Sequence, residues 1–189
     1  MNILHRRYCR SDEWRQAVHH GMLPWVLGET DLGASVLEIG PGPGVTTDWL
    51  RERTPSLTCI EIDRALAESL KTRLDGSNVT VVEGDATAIQ LPDASFDCVV
   101  CFTMLHHVPS RTFQDLLLAE AHRVLKPGGL LTGSDSTPSF RWRLFHLFDT
   151  CVPVDPETFA ARLETAGFRD AQIERRPEYN TFKFTARKG

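Results

Sequence analysis

The chain has 189 residues, of which 41% are apolar, with a formal charge of −4; that is enough for one domain with a full core and too little for two of ordinary size. A net acidic balance argues against a nucleic-acid surface, whose affinity comes mainly from lysines and arginines on phosphates. No apolar run reaches the length of a membrane span and the N-terminus lacks the hydrophobic core of a signal peptide, so the expected location is cytoplasmic.

Residues Met1 to Leu27 carry Trp14, Val18, Met22 and Trp25 at spacings of three and four, the stripe of one or two helices ahead of the sheet. This segment, residues 1–33, can pack as a lid across the first strand. Arg6, Arg7, Arg10 and Arg15 gather positive charge there, and a solvated amphipathic helix accounts for them more simply than an anion site. The Asp31-Leu32-Gly33 turn then delivers the chain into a strand over Ser35 to Ile39. That strand runs into Glu38-Ile39-Gly40-Pro41-Gly42-Pro43-Gly44, three glycines on alternate positions before a helical pattern starts at Val45. Glycine admits positive φ and lets a ligand approach the main chain. A strand that turns this way into a helix is the ligand corner of a doubly wound α/β domain, beyond the carboxyl ends of the strands.

Val45, Trp49 and Leu50 form the first helical stripe, ended by Pro55; Leu57 to Ile62 reads as a second strand. Leu66, Leu70 and Leu74 recur at helical spacing with Gly76 at the C-terminal end. Val79 to Val82 is a short branched run of the kind found in a buried parallel sheet, and Phe96 to Phe102 is a fourth strand. From Ser110 to Leu125, Phe113, Leu116, Leu117, Ala121, Val124 and Leu125 mark a helix. Pro127-Gly128-Gly129 is expected to stop it, with a fifth strand starting at Leu130. In the tail, Asp155-Pro156 pairs an N-cap with a first-turn proline, and Ala171 to Arg175 and Thr181 to Ala186 read as two strands joined by a turn at Pro177 to Asn180. Two strands with so short a link are antiparallel neighbours. The expected architecture is thus a Rossmann-like, three-layer α/β/α sandwich with a doubly wound, mostly parallel sheet. It divides into the lid, a core at 34–134, an insertion at 135–154, and a helix plus C-terminal hairpin at 155–189.

Five cysteines, an odd and scattered number, give no disulfide framework. Cys98-Val99-Val100-Cys101 matches Cys-x-x-Cys literally, but on a strand residues three apart point to opposite faces, so the sulfurs should diverge. No paired carboxylate, His-x-His or Cys/His spacing suggests a metal site. The chemistry-bearing residue after the second strand is Glu61, whose two oxygens suit the vicinal hydroxyls of a ribose. Asp63 falls on the other face and should cap the next helix. Acid at this position is shared with NAD-binding proteins and does not by itself choose between adenosine cofactors.

The glycine spacing disfavours the dinucleotide reading, and the remaining motifs decide. The dinucleotide fingerprint wants a small residue where Val45 stands, and here the third glycine comes one residue early, at Gly44. The Glu-x-Gly-x-Gly-x-Gly form resembles motif I of the class I S-adenosylmethionine (AdoMet) dependent methyltransferases. Val82-Glu83-Gly84-Asp85-Ala86 is similar to that family's adenine-binding turn. Ser95-Phe96-Asp97, Leu105-His106-His107-Val108 and Arg123-Val124-Leu125-Lys126-Pro127-Gly128-Gly129 resemble the subgroup that includes ubiquinone and menaquinone biosynthesis methyltransferases. The resemblance spans roughly Val36 to Leu131. It implies a sheet order of 3-2-1-4-5-7-6 and AdoMet as cofactor, with Glu38, Gly40, Pro41, Gly42, Gly44, Glu61, Ile62, Asp85, Ala86 and Phe102 around it. It says little about the substrate: the missing metal spacings and the missing nucleic-acid signature are what favour a metal-independent enzyme acting on a small molecule, with the acceptor expected over the ends of strands four and five and methylated by in-line displacement.

Thr103 and Asp135 are expected to line that acceptor site, with Trp142 and Phe145 from the Arg141 to Phe148 segment, whose aromatics either face a hydrophobic substrate or pack as an amphipathic helix. His106, and after it His107, stand as candidate general bases or as packing histidines. A non-catalytic AdoMet-binding sensor or scaffold keeps the same loop, and a nicotinamide oxidoreductase is disfavoured by Val45. The Asn/Asp-Pro-Pro-Tyr type signature of nucleic-acid amino methyltransferases is absent where Cys101-Phe102-Thr103-Met104 stands. The expected state is a monomer or homodimer.

Overall fold

The structure, a computed structural model, describes residues 7–139, 144 and 149–189. Ser11 caps the first described helix, α1 (Asp12–Ala17), by accepting from the Trp14 N–H. A π-helical turn (Val18–Met22) carries the chain into α2 (Leu23–Leu27), which Gly28 ends at φ +50. Strand β1 (Ser35–Ile39) and the glycine turn then lead into α3 (Val45–Leu50). Next come β2 (Ser56–Glu61), α4 (Arg64–Arg73) capped by Asp63, β3 (Val79–Glu83) and β4 (Phe96–Phe102). A 3-10 turn (Leu105–His107) precedes α5 (Arg111–Val124), whose cap is Ser110. The chain closes with β5 (Leu125–Ser136), α6 (Pro156–Thr165), β6 (Phe168–Arg176) and β7 (Thr181–Lys188).

These strands form one sheet in the order β3-β2-β1-β4-β5-β7-β6. The first five run parallel, and β7 is antiparallel to both β5 and β6. Alternation along each strand splits the core in two. Val36, Leu57, Cys98 and Val100 pack with Val18, Leu23, Leu50 and Leu70 on one face. Leu37, Ile39, Val99, Cys101 and Leu131 pack with Leu117, Leu118, Phe159 and Leu163 on the other. Cys98 and Cys101 therefore lie in different cores, as a strand requires. Under the hairpin, Phe159 meets Phe184 edge-on at 5.0 Å and Phe182 at 5.8 Å, geometry that adds to plain area burial.

Two expectations are corrected. The branched run of β3 is not buried on both faces: the strand is the edge of the sheet and its residues are part-buried or exposed. The fifth strand starts at Leu125, directly after the helix, rather than at Leu130. Leu125 opposes Phe96 and Leu130 opposes Cys98, so Lys126-Pro127-Gly128-Gly129 is a bulge within the strand. A Cβ on Gly129 would lie 2.8 Å from the Lys126 carbonyl oxygen. The bulge throws Lys126 back to Asp97, Nζ to Oδ1 2.7 Å. Asp97 Oδ2 in turn accepts from the Ala34 and Ser35 N–H groups at 3.1 and 2.9 Å, tying the entry of β1 to β4 and β5.

Candidate functional site

A cleft of about 640 Å³ opens at the carboxyl ends of β1, β2 and β4. Its first wall is the glycine turn. Gly40, Gly42 and Gly44 all hold positive φ, at +67, +56 and +87, the region L side chains enter only at a cost. Their reasons differ. A Cβ on Gly42 would meet nothing within 4 Å, so this residue offers bare main chain to the cleft. At Gly44 the Cβ would lie 2.4 Å from Leu70 Cδ1; this glycine lets the turn seat on α4 and does not line the cleft.

The two acids of the turn also separate. Glu61 has the strand parity of Leu57 and Cys59 and emerges at the cleft, where Oε2 accepts from the Gly42 N–H and Oε1 from the Asp63 N–H, each at 2.9 Å. Each carboxylate oxygen keeps room for another donor. Glu38 lies beneath, 1% exposed, accepting from the hydroxyls of Thr46 and Thr47, with the Cys59 thiol at 3.4 Å. Burial raises its pKa against the pull of those donors. Glu38 is thus corrected from a cleft residue to the brace that fixes α3 under the turn. Asp63 caps α4 through the Ala65 and Leu66 N–H groups at 3.0 and 3.2 Å.

Across from the turn, Asp85 forms a local Asp turn, Oδ1 accepting from the N–H and hydroxyl of Thr87, both at 2.8 Å, and also lines the cleft beside Gly84 and Ala86. Ile62 stands at the mouth 70% exposed. The residues fit a purine nucleoside: a bulk-free main-chain bend, a carboxylate at its edge, an exposed branched side chain for a flat ring to cover, and a second acid opposite.

The far wall is Phe102, Thr103, Met104, His106 and His107. Thr103 holds φ +50, uncommon for a branched residue. The His106 and His107 rings lie against each other tilted by 44°, with centroids 4.2 Å apart. Asp135, expected on the cleft surface, is 0% exposed and turns inward to His106, with Oδ1 2.5 Å from Nδ1; its neighbour Ser136 lines the cleft instead. The reason is register: Asp135 is on the same face as Leu131, which belongs to the core. Trp142 and Phe145 lie outside the described residues; of the Arg141–Phe148 stretch only Leu144 is described, and it is exposed.

Sequence reasoning missed three groups. Tyr8 and Cys9 from the N-terminal segment, with Trp14 of α1, close one side of the cleft. Their helix is tied down by Arg15 to Asp48 at 3.3 Å and by the His19 ring to the Val45 carbonyl oxygen at 2.8 Å. Gln114, 1% exposed, donates from Nε2 to the carbonyl oxygens of Leu105 and Val152 at 3.0 and 2.9 Å and so pins the returning chain to the histidine turn. Val108, Pro109 and Phe113 line the same end. The sequence did signal Trp14 and Phe113 as members of helical stripes and Val108 as part of a motif, but nothing in it marked any of them as cleft residues. The thiols are poor nucleophiles here, because burial pushes Cys9 up to about 11 and Cys151 up to about 12.

Residues 37–132 match a family described as a methyltransferase domain. An uncharacterized methyltransferase of Mycobacterium tuberculosis is 31% identical over 137 residues, 71% of this chain and 66% of the relative, so the chain spans just under two thirds of that relative's length. The ubiquinone biosynthesis O-methyltransferase of Pseudomonas aeruginosa is 30% identical over 135 residues, 67% of this chain and 56% of the relative. A probable ribosomal RNA small subunit methyltransferase A of Pyrococcus abyssi is 42% identical over a shorter stretch of 74 residues, 39% of this chain and 27% of the relative. Among solved structures, a SAM dependent methyltransferase from Aquifex aeolicus superposes with a TM-score of 0.78 at 21% identity, covering 100% of both chains, a likeness of fold. With the family match over half its length and the glycine turn, acid and sheet order in place, the chain belongs to the class I S-adenosylmethionine-dependent methyltransferases.

Proposed function

We propose that this chain transfers the methyl group of AdoMet to a small-molecule acceptor by in-line displacement, without a metal. The observation that supports it best is the continuity of one cleft from the glycine turn and Glu61 to Thr103, Met104 and His106. Its volume, about 640 Å³, suits small-molecule ligands, whose sites run to roughly 300–1,000 Å³. AdoMet, when bound, supplies a methyl group already activated on a sulfonium sulfur. The protein's own work is then holding, orienting and drying. Glu61 would accept from the ribose hydroxyls, Asp85 from the adenine amine, and Ala86 would meet the ring edge with its main chain, while Ile62 and Phe102 pack against apolar faces. Tyr8 and Trp14 keep water from the mouth.

An RNA acceptor is the reading the Pyrococcus relative would favour, but that match covers only 39% of the chain and the net charge is −4. Among the described residues no group of three or more His, Cys, Asp or Glu side chains converges as a metal site. Calorimetry with AdoMet, S-adenosylhomocysteine and NAD, followed by transfer of labelled methyl to a small-molecule panel and to a ribosomal RNA transcript, tests the reading. Binding of the two sulfur nucleosides, rejection of NAD and label in a small product support it. Label in the RNA alone, or cofactor binding with no transfer to anything, overturns the acceptor class or the enzymatic role.

A further inference from the structure

Guanidiniums from α1, α4 and the end of α3 meet at one carboxylate, Asp48 of α3. Arg73, the last residue of α4, brings Nη1 to Oδ1 at 2.6 Å, and Arg15 of α1 brings Nη1 to Oδ2 at 3.3 Å. Arg51, at the C-cap of α3, has Nε 3.8 Å from Oδ1. The helix dipole favours an acid in the first turn of α3, but it does not call for a cation from α1. The Asp48 side chain is 17% exposed, so its charge is less screened than that of an ordinary surface pair. Arg73 carries the cluster into the cofactor turn: its Nη2 donates to the carbonyl oxygens of Pro43 and Gly44 at 3.4 and 3.5 Å. The Gly44 carbonyl oxygen also accepts the Asp48 N–H at 3.0 Å.

On its other side the cluster reaches the wall of the cleft. Tyr8, Cys9 and Trp14 line that wall, yet α1 has no buried residue, whereas α2 buries Leu23, Val26 and Leu27. Between the two helices lies the π-helical turn, where a Cβ on Gly21 would meet nothing within 4 Å, the kind of break at which a helix bends. Polar ties therefore hold α1 in place, and both land on α3: Arg15 on Asp48, and the His19 ring on the Val45 carbonyl oxygen. We propose that Asp48 is a positioning residue for the cofactor, latching α1 over the cleft, so that AdoMet enters and S-adenosylhomocysteine leaves only when the Arg15–Asp48 contact opens. Because Arg73 links the same carboxylate to the glycine turn, a nucleoside seated on the turn and a closed α1 favour each other equally. The latch belongs to the cofactor end and is independent of which acceptor is methylated.

The test follows release of tritiated S-adenosylhomocysteine from the full chain, chased with excess unlabelled ligand. The dissociation rate is expected to rise about two- to fivefold in Arg15→Gln, the range of a single exposed pair. In Asp48→Asn, which leaves three cations facing one another, it should rise about tenfold. Arg15→Lys should stay within about twofold of wild type, and Arg15→Gln added to Asp48→Asn should slow release or leave it within about twofold. Raising NaCl from about 0.05 to about 0.5 M should speed release from wild type and not from Asp48→Asn. Hydrogen exchange of the α1 amides should slow on saturation with S-adenosylhomocysteine in wild type and not in Asp48→Asn. Equal release rates in wild type, Arg15→Gln and Asp48→Asn sink the proposal, as does an Arg15→Gln effect that persists in full without Asp48. A lower unfolding midpoint in Asp48→Asn, with release and α1 exchange unchanged, would leave Asp48 as a stabiliser of α3 alone and overturn the latch.

Discussion

The two ends of the cleft are built differently. At the glycine turn the groups facing the ligand are main chain, and the side chains that hold them come from closer along the chain: Glu38 meets Thr46 and Thr47 eight and nine residues on, and Glu61 meets Asp63 two residues on and Gly42 nineteen residues back. At the histidine turn the decisive partners are distant: Asp135 lies 29 residues from His106 and Gln114 38 residues from Val152. A main-chain site is set by which residues have no Cβ. A side-chain site is set by which loops return to it, so the first can stay constant while the second is rebuilt for another acceptor.

Substitution of Gly44 should break the first end most severely. A side chain there must adopt φ +87 and places its Cβ 2.4 Å from Leu70 Cδ1. Left-handed strain and overpacking of a core contact together cost about 3 kcal/mol or more. Gly44→Val is therefore expected to lower the urea midpoint sharply and to abolish S-adenosylhomocysteine binding in whatever fraction remains folded, as calorimetry would register. Retention of full affinity would mean that the turn does not need its seat on α4.

Gln114→Leu is the corresponding change at the other end and should be smaller. It strips two buried carbonyl groups of their donor, while removing an Oε1 that has no hydrogen-bond partner among the described residues. The net loss is about 2 kcal/mol. Cofactor affinity should stay within about twofold and turnover should fall, since the histidine turn loses its strap. Equal losses of both would erase the distinction between the two ends.

This division also governs what was legible beforehand. The cap at Asp63 and the Asp155-Pro156 helix start follow from local pattern, because cap chemistry acts over a few residues, whereas the sheet order was legible only through the resemblance to the class I methyltransferases. The placement of Glu38 was misjudged because Ile39 and the turn hide the fact that strand parity aims it at α3. Asp135 was expected at the surface because a polar residue at a strand end usually is; only the register of β5 against β4 and β7 reveals that it faces the core. Gln114 sits in an otherwise apolar helical stripe and gives no signal of its own, as its two acceptors belong to chain segments nine residues before it and thirty-eight after it.

Asp97 belongs to neither end and separates stability from site chemistry by pH. The Lys126 ammonium, followed by the Ser35 and Ala34 N–H groups, lowers its pKa below the ordinary 3.8. Sign follows directly: a depressed carboxyl contributes stability fully above its unfolded value and loses it as the pH falls through the folded one. Asp97→Asn should therefore cost about 1 kcal/mol at pH 7, discounted for a partly exposed pair, with the gap to wild type closing below about pH 4. Denaturation at pH 7 and pH 3 would show it. A gap that persists unchanged at pH 3 would assign the loss to packing rather than to the charge.

The smallest effect concerns Thr103, where the two ends meet. Its N–H donates to the Ser134 carbonyl oxygen at 2.8 Å, which holds the backbone at φ +50 as β4 gives way to the histidine turn. Removing the Cβ with Thr103→Gly relieves about 1 kcal/mol of left-handed strain, but glycine returns roughly 0.5–1 kcal/mol as extra freedom of the unfolded chain. Net stability should then barely move. Thr103→Ala keeps the strain without the branched side chain, and should be less stable than Thr103→Gly by a few tenths of a kcal/mol, read from paired urea transitions. If alanine proves the more stable of the two, the left-handed bend is not enforced by the Ser134 contact. The wall between cofactor and acceptor would then owe its shape to the Thr103 side chain, and not to the main chain beneath it.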